Sequence, residues 1–271
     1  MIELQAITLI ARNEFYRVIR HPLVIVVGVI LLVIAYVNGA GGDSLLLSSG
    51  LSAGQDVFMQ GYGQLIYNVS FICCIMAAFL GVVSMSEEYG KNSFGVILAK
   101  PIYRRDVILG KVMGICGFMF LFITLVVVFI TAMLILGFRS PDSYIELWRP
   151  VGIILALGLE SSLVISLTVL VGSVFKNIIG SVSIAITYVY ADWFKNVSQY
   201  MGMYSIITPK ILFFDVINPP NYDNSMAMLF DTLYPFDKWF GDASIYIVLL
   251  LVEMTIFVFI CCMVFAKQEN L

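Results

Sequence analysis

The sequence predicts an all-α, polytopic membrane protein with about six transmembrane helices. Hydrophobic residues make up 61% of the 271 positions and charged residues 12%, and the mean hydropathy is +0.97. Soluble domains are closer to half apolar and a quarter charged, so this composition leaves too little polar surface for a water-soluble globule. The apolar residues are also gathered into uncharged stretches, several of them long enough to cross a bilayer as a helix of about 20 residues.

The net charge and the positions of the cysteines argue against a nucleic-acid partner and a metal centre. The net charge of −3 and the isoelectric point near 5.1 argue against nucleic acid, which needs a clustered basic face. The five cysteines all lie inside apolar runs without the paired C-x-x-C spacing of a zinc site, so buried thiols and no metal centre are expected. Partners are expected among membrane lipids and other proteins.

Residues 1–21 are predicted to form an amphipathic interfacial helix. Its apolar side chains recur at helical spacing: Leu4, Ile7, Ala11, Phe15 and Val18. Charged residues are interleaved with them, which is typical of a helix on the membrane surface. Periodicity alone fits a cytoplasmic extension of the first span equally well, although His21-Pro22 favours a break.

Five uncharged or nearly uncharged stretches predict full spans: residues 22–40, 65–85, 112–138, 151–175 and 243–266. A sixth, residues 177–191, covers only roughly 22 Å at the helical rise. Either it recruits Trp193 and Phe194, which suit the aromatic belt at a membrane boundary, or it lies where neighbouring protein covers it.

The basic residues predict the orientation. With the N-terminus cytoplasmic, five of the 15 Lys and Arg residues lie outside, namely Arg139, Arg149, Lys195, Lys210 and Lys238, and the other ten lie inside. The excess of positive charge on one side favours a cytoplasmic N-terminus. Six spans then place the C-terminus on the same side, and the plasma membrane is the expected location.

Residues 192–242 form the longest predicted segment outside the membrane. Apolar patches alternate there with Pro209, Pro219, Pro220 and Pro235. Prolines end helices, so short interfacial or re-entrant helices broken by turns are expected before the last span. No stretch is large enough for a core of its own, which makes residues 1–271 a single transmembrane domain.

The segment between the second and third spans, residues 86–111, is the most informative. It combines an acidic pair, a short apolar helix, a proline turn and a basic cluster, with these candidate residues: Glu87, Glu88, Lys91, Phe94, Leu98, Pro101, Arg104, Arg105, Gly110 and Lys111. The apolar helix could enter a groove on another protein, with the charged flanks fixing its register. A positive-inside loop with a lipid-contacting helix is the alternative on composition alone.

This segment resembles the cytoplasmic loop of permease subunits in the ATP-binding-cassette type 2 exporter family. Glu87-Glu88, Pro101, Arg104 and Gly110-Lys111 match the family pattern, whereas Asn92-Ser93 replaces its Gly-Thr step. The close match covers about 26 residues, and the six-span arrangement extends it over the chain.

The resemblance implies that residues 86–111 hold a coupling helix that docks on separate ATPase subunits. It also implies a permease dimer, with a homodimer favoured over a heterodimer, and outer helices before the last span that act as an external gate. ATP and Mg²⁺ would then be bound by the partner, with no cofactor in this chain.

The chain has no ATP-hydrolysing motif of its own. A P-loop needs G-x-x-x-x-G-K-[ST], but Gly110-Lys111 is followed by Val112, and Arg105 stands where the first glycine belongs. Its single histidine, His21, excludes an H-E-x-x-H zinc motif. We therefore expect a non-enzymatic subunit.

Two carboxyl groups interrupt otherwise apolar spans. Glu160 and Glu253 lie near mid-depth, and no Lys or Arg lies within a span to neutralise them. Because a charge there costs several kcal/mol at least, such residues are functional candidates that could line a translocation path or bind a cation or proton. Alternatively each is protonated and bonds to neighbours such as Ser161, Ser162 or Thr255, holding helices together.

These observations favour the membrane-spanning permease of an ATP-driven exporter. An intramembrane enzyme using Glu160 or Glu253 is the alternative of a different class, and it lacks paired catalytic motifs. A sensor or scaffold with the exporter architecture but without transport is a second alternative.

Overall fold

The computed structural model describes residues 4–48, 57–90, 104–137, 148–175, 177–195, 208–220 and 227–267. These ranges hold eight helices and no strand, which confirms the all-α class. In chain order the helices are α1 (Leu4–Ile19), α2 (Pro22–Ser48), α3 (Val57–Gly90), α4 (Arg104–Gly137), α5 (Arg149–Val174), α6 (Ile178–Lys195), α7 (Pro209–Ile217) and α8 (Phe236–Lys267).

Four of these helices are long and apolar enough to cross a membrane: Leu65–Met85 in α3, Arg105–Leu136 in α4, Arg149–Val174 in α5 and Phe236–Phe265 in α8. Helices α1 and α2 qualify together as a fifth span, although they are bent by 60° at the break between them. The structure therefore gives four to five membrane-capable spans. Helix α6 has a shorter apolar part, Ile178–Phe194, and remains a prediction as the sixth.

Several helices are longer than the apolar stretches that predicted them. Helix α6 continues through Trp193 and Phe194, the residues that the short stretch was expected to recruit. Helix α8 begins at Phe236, so the last residues of the predicted outer segment 192–242 already belong to the final helix. Between them, α7 is the short, proline-initiated helix that the sequence predicts before the last span.

Helix α5 is the centre of the bundle. Buried residues make up 78% of its apolar window but 17% of that of α8, which therefore lies at the periphery. Small residues allow neighbouring helices to approach closely, as is common between membrane helices. A Cβ atom on Gly172 would lie 3.2 Å from the Val82 carbonyl oxygen, and one on Gly81 would lie 3.2 Å from the Ile165 carbonyl oxygen.

The break between α1 and α2 lies at His21, as His21-Pro22 predicted. The imidazole Nδ1 of His21 accepts the backbone N–H of Leu23 at 3.3 Å and so satisfies one donor at the start of α2. Helix α1 then packs along α4, with Ile7 and Val18 buried and Phe15 in edge contact with Phe118 at 6.1 Å. Ile7 and Val18 of the predicted apolar stripe thus contact protein, whereas Leu4 is exposed.

Candidate functional site

The predicted coupling segment lies between α3 and α4, the two longest of the described helices. Helix α3 ends at Gly90 and therefore includes Glu87 and Glu88, while α4 begins at Arg104. Both flanks of segment 86–111 are thus helical extensions of membrane spans. The remaining coupling candidates, Lys91, Phe94, Leu98 and Pro101, lie outside the described residues.

Gly110 is the point where α1 and α4 come together. A Cβ atom there would lie 2.8 Å from Ile10 Cβ and 3.0 Å from the Ile7 carbonyl oxygen. One turn further along α4, a Cβ atom on Gly114 would lie 2.4 Å from the carbonyl oxygen of Ala11. Such distances leave no room for a side chain, so the two glycines permit backbone-to-backbone packing of the helices.

Lys111 is buried, with 1% of its side chain exposed. Its ammonium group forms an ion pair with Glu14 of α1, which is 3% exposed. It also donates to the backbone oxygen of Ser84 at 3.0 Å and to Ser84 Oγ at 3.3 Å. Arg17 holds the other carboxylate oxygen of Glu14 at 2.9 Å. This residue, predicted to contact an ATPase, therefore connects α1, α3 and α4 within the chain.

Arg105 and Asp106 lie at the first turn of α4. The Nε atom of Arg105 is 3.6 Å from Asp106 Oδ1, and Arg105 is 46% exposed while Asp106 is fully buried. A carboxylate in the first turn of a helix is favoured by the helix dipole. Helix α4 also packs against α8.

Glu160 is fully buried at the contact of α5 with α3. Ser70 donates a hydrogen bond to its Oε2 atom, and the thiol of Cys74 lies close to the same carboxyl group. The Oε1 atom has no partner among the described residues. The contact joins two central helices, which fits a bonded carboxyl group more closely than an isolated charge.

Glu253 of α8 is 6% exposed, and neither of its carboxyl oxygens has a hydrogen-bond partner in the described part of the chain. Tyr188 of α6 lies near Glu253 and Asp192, and Asp192 lies near Glu160. Both predicted glutamates are therefore near α6, and no hydrogen bond joins them among the described residues.

The hydroxyl groups proposed as partners of the glutamates have other roles. Ser162 donates to the Gly158 oxygen at 2.7 Å, and Thr255 donates to the Val252 oxygen at 2.7 Å, each within its own helix. Ser161 Oγ has no partner among the described residues. The described ranges also contain no group of three or more His, Cys, Asp or Glu residues that could hold a metal ion.

Asp192 is buried beneath the start of α7, with 4% exposed. Its Oδ2 atom accepts the backbone N–H of Lys210 at 3.2 Å, and the Lys210 ammonium group donates to the Trp193 oxygen at 2.7 Å. A carboxylate that accepts an N–H group in the first turn stabilises a helix whose early donors have no internal partner. The ring of Phe214 stacks on Tyr67 at 5.1 Å, so aromatic residues surround this junction.

Residues 208–220 and 227–235, here called the α7 cap, are fastened by Arg149 at the start of α5. Its guanidinium group is 4% exposed and donates to the Leu229 oxygen at 2.6 Å and the Tyr234 oxygen at 2.7 Å. Trp239 of α8 adds a bond from its indole nitrogen to the Val216 oxygen at 2.9 Å. Burial raises the pKa of Asp215, which lies in α7.

Sequence reasoning missed four contributors to these sites: Glu14, Ser84, Arg149 and Asp192. Glu14 carried a usable signal, because it falls on the same helical face as Ile7, Ala11 and Val18. A charged residue within an apolar stripe predicts a buried partner. Ser84 and Arg149 gave no comparable signal, since serine is common in membrane helices and Arg149 precedes its span.

The architecture defines a polytopic helical membrane protein with a buried polar centre and two long helices that extend from the bundle. The chain belongs to the ABC-2 transporter family, because the family model described as "ABC-2 family transporter protein" matches residues 8–270. This confirms the resemblance found in the sequence and makes the chain a membrane-spanning transporter component. A comparison with curated proteins gives no significant match.

Proposed function

We propose that the chain is the permease subunit of an exporter and that separate ATPase subunits dock on residues 86–111. The observation that carries this proposal is the helical continuity on both sides of residues 91–103. Helices α3 and α4, of 34 residues each, run without interruption from that segment into the bundle. A force applied to the segment therefore reaches Glu160 through Ser70 of α3 and reaches α1 through Lys111 of α4.

The same proposal includes ATP and Mg²⁺ bound by the partner, a homodimer of this chain, and cytoplasmic termini in the plasma membrane. The absence of a P-loop from the sequence supports a separate ATPase. The lipid-facing and dimer-forming surfaces are expected on α2, α4 and α8, whose outer faces carry large exposed apolar side chains such as Ile25, Leu125 and Phe259. The bias of Lys and Arg supports the orientation.

Docking on residues 86–111 is tested by charge reversal at both flanks. We expect a Glu88→Arg, Arg104→Glu variant to recover at least about fivefold less ATPase than wild type in a pull-down from detergent, because reversed charges oppose the partner's complementary ones. Arg12→Gln, on the exposed face of α1, is the matched control for loss of surface charge. Association of an ATPase with wild type and variant alike would place the docking surface elsewhere. No associated ATPase at all would overturn the exporter proposal and leave the enzyme and scaffold alternatives.

We further propose that Glu160 and Glu253 belong to the translocation path. Both are buried carboxyl groups with at least one oxygen that has no hydrogen-bond partner among the described residues, and both lie on helices that contact each other. A polar group with unused bonding capacity inside a membrane protein is a candidate contact for a passing solute or proton. The bond from Ser70 supports a second role for Glu160 in joining α3 and α5.

Replacing either glutamate with glutamine tests the path. We expect Glu160→Gln and Glu253→Gln each to reduce ATP-dependent uptake of lipophilic dyes and labelled lipids into inverted vesicles by about tenfold, with the ATPase still bound, since an amide keeps the shape but loses the exchangeable proton. Thr255→Val, exposed on α8 near Glu253, is the control and should transport normally. Normal uptake by both glutamine variants would assign the two residues a structural role.

A further inference from the structure

The buried ion pair between Glu14 and Lys111 lies outside the proposed translocation path. Buried ion pairs seldom stabilise a protein more than apolar residues of similar size would. They do fix one arrangement of the elements that carry them, because each charge is costly without its partner. The pair is therefore better explained by a need to hold specific helices together than by overall stability.

The ammonium group of Lys111 has an acceptor for each of its protons. A lysine ammonium group has three protons, and Lys111 has three acceptors: the Glu14 carboxylate, the Ser84 carbonyl oxygen and Ser84 Oγ. The second oxygen of Glu14 forms an ion pair with Arg17 at 2.9 Å but has no hydrogen-bond partner among the described residues. Three helices thus meet at one charge, with α1 supplying the anion, α4 the cation and α3 the neutral acceptors.

Ser84 and Lys111 lie near the helix ends that border the coupling segment. Ser84 lies six residues before the end of α3 at Gly90, and Lys111 lies seven residues after the start of α4 at Arg104. The ends of α3 and α4 that flank segment 91–103 are therefore joined through the Lys111 ammonium group, which also binds Glu14 of α1. Close packing of α1 on Gly110 and Gly114 leaves no gap for α4 to shift without moving α1.

We propose that Glu14, Ser84 and Lys111 form a clamp that makes α1 move as one body with the ends of α3 and α4 next to the coupling segment. The three are positioning residues, which act through the helices they join. This inference rests on the proposed function, because the movement would originate in ATPase subunits docked at residues 86–111. The outer face of α1, with Leu9, Arg12 and Tyr16 exposed, would carry that movement to the membrane surface.

The test follows the distance between α1 and α8 in the complex of permease and ATPase. Spin labels are attached at Leu9→Cys and Met263→Cys, both exposed positions, in a Cys262→Ser background. The distance is measured without nucleotide and after trapping with ATP and vanadate. Wild type is expected to change its distance on trapping, whereas Glu14→Gln and the double variant Glu14→Gln, Lys111→Met should show at most half of that change.

The double variant separates positioning from folding. Removing both charges leaves no buried ion without its partner, because Arg17, which also pairs with Glu14, is 35% exposed; yield and thermal stability should therefore recover relative to Glu14→Gln. If its distance change also returns to the wild-type value, the pair serves folding alone and the clamp is overturned. Arg12→Gln, on the same helix but outside the clamp, should behave as wild type.

Amide exchange in the isolated permease distinguishes failure of the clamp from failure of the proposed function. Glu14→Gln should speed exchange in α1 and leave α8 unchanged, and unchanged exchange in α1 would overturn the clamp without any ATPase. If α1 is released but no ATPase co-purifies with wild type, the proposed function is overturned, and with it the role of the clamp in transmitting movement.

Discussion

Replacing Gly114 with alanine is expected to lower the thermal unfolding midpoint by around 5 °C, as judged from an overpacking cost of about 1–3 kcal/mol. The added Cβ atom would lie 2.4 Å from the Ala11 carbonyl oxygen and 2.9 Å from Glu14 Cβ. Because the first of these is a backbone atom, the whole of α1 has to move away from α4. Its departure would also stretch the ion pair between Glu14 and Lys111.

Gly117→Ala is the matched control, one turn further along α4. A Cβ atom there has no neighbour within 4 Å, so the substitution should be neutral or slightly stabilising through the higher helix propensity of alanine. The measurement is thermal unfolding of the detergent-solubilised protein, compared at one heating rate because membrane proteins often unfold irreversibly. Equal unfolding midpoints for Gly114→Ala and Gly117→Ala would show that α1 can move away from α4 without loss of stability.

Arg149→Met is expected to destabilise the α7 cap by about 2–4 kcal/mol. The substitution keeps most of the side-chain length but removes the donors that reach the Leu229 and Tyr234 oxygens at 2.6 and 2.7 Å. Two carbonyl groups then lose their partner in a site that is 4% exposed, and unpaired buried acceptors are costly. The cap should open while the rest of the bundle stays folded.

Limited proteolysis and amide exchange of residues 227–235 measure this opening. Arg149→Lys should give a partial effect, because one ammonium group lacks the planar fork that serves two acceptors at once. Lys238→Met removes an exposed charge at the same end of the bundle and should leave the cap intact. If residues 227–235 are as well protected in Arg149→Met as in wild type, the contacts of Trp239, Asp192 and Lys210 suffice to hold the cap without Arg149.

The class of fold could be predicted from the sequence because bilayer thickness imposes a length on every span. The predicted span 65–85 lies within α3, Val57–Gly90. The helix ends were harder to predict, because hydropathy stops where charge begins while the helix does not. Helix α4 starts at Arg104, eight residues before the apolar stretch, and carries the basic cluster as part of its first turns.

Part of the candidate site was predictable and part was not. Glu160 and Glu253 stood out because intramembrane carboxyl groups are rare. Their surroundings depend on which helices meet, and a single sequence gives no information about helix neighbours. Asp192 therefore read as a boundary residue of a short span, whereas it accepts a hydrogen bond from the first turn of α7, a helix that begins 17 residues further along the chain.

The ion pair that joins α1 to α4 has a consequence for biogenesis. Glu14 and Lys111 are 97 residues apart in the chain, so a ribosome that has just released α1 has yet to synthesise the lysine. Until then a carboxylate destined for burial has to remain hydrated, and α1 has to wait outside the bilayer core. Helix α1 is therefore synthesised first but docks late. Its packing is complete only after α4, which carries Lys111, has been inserted.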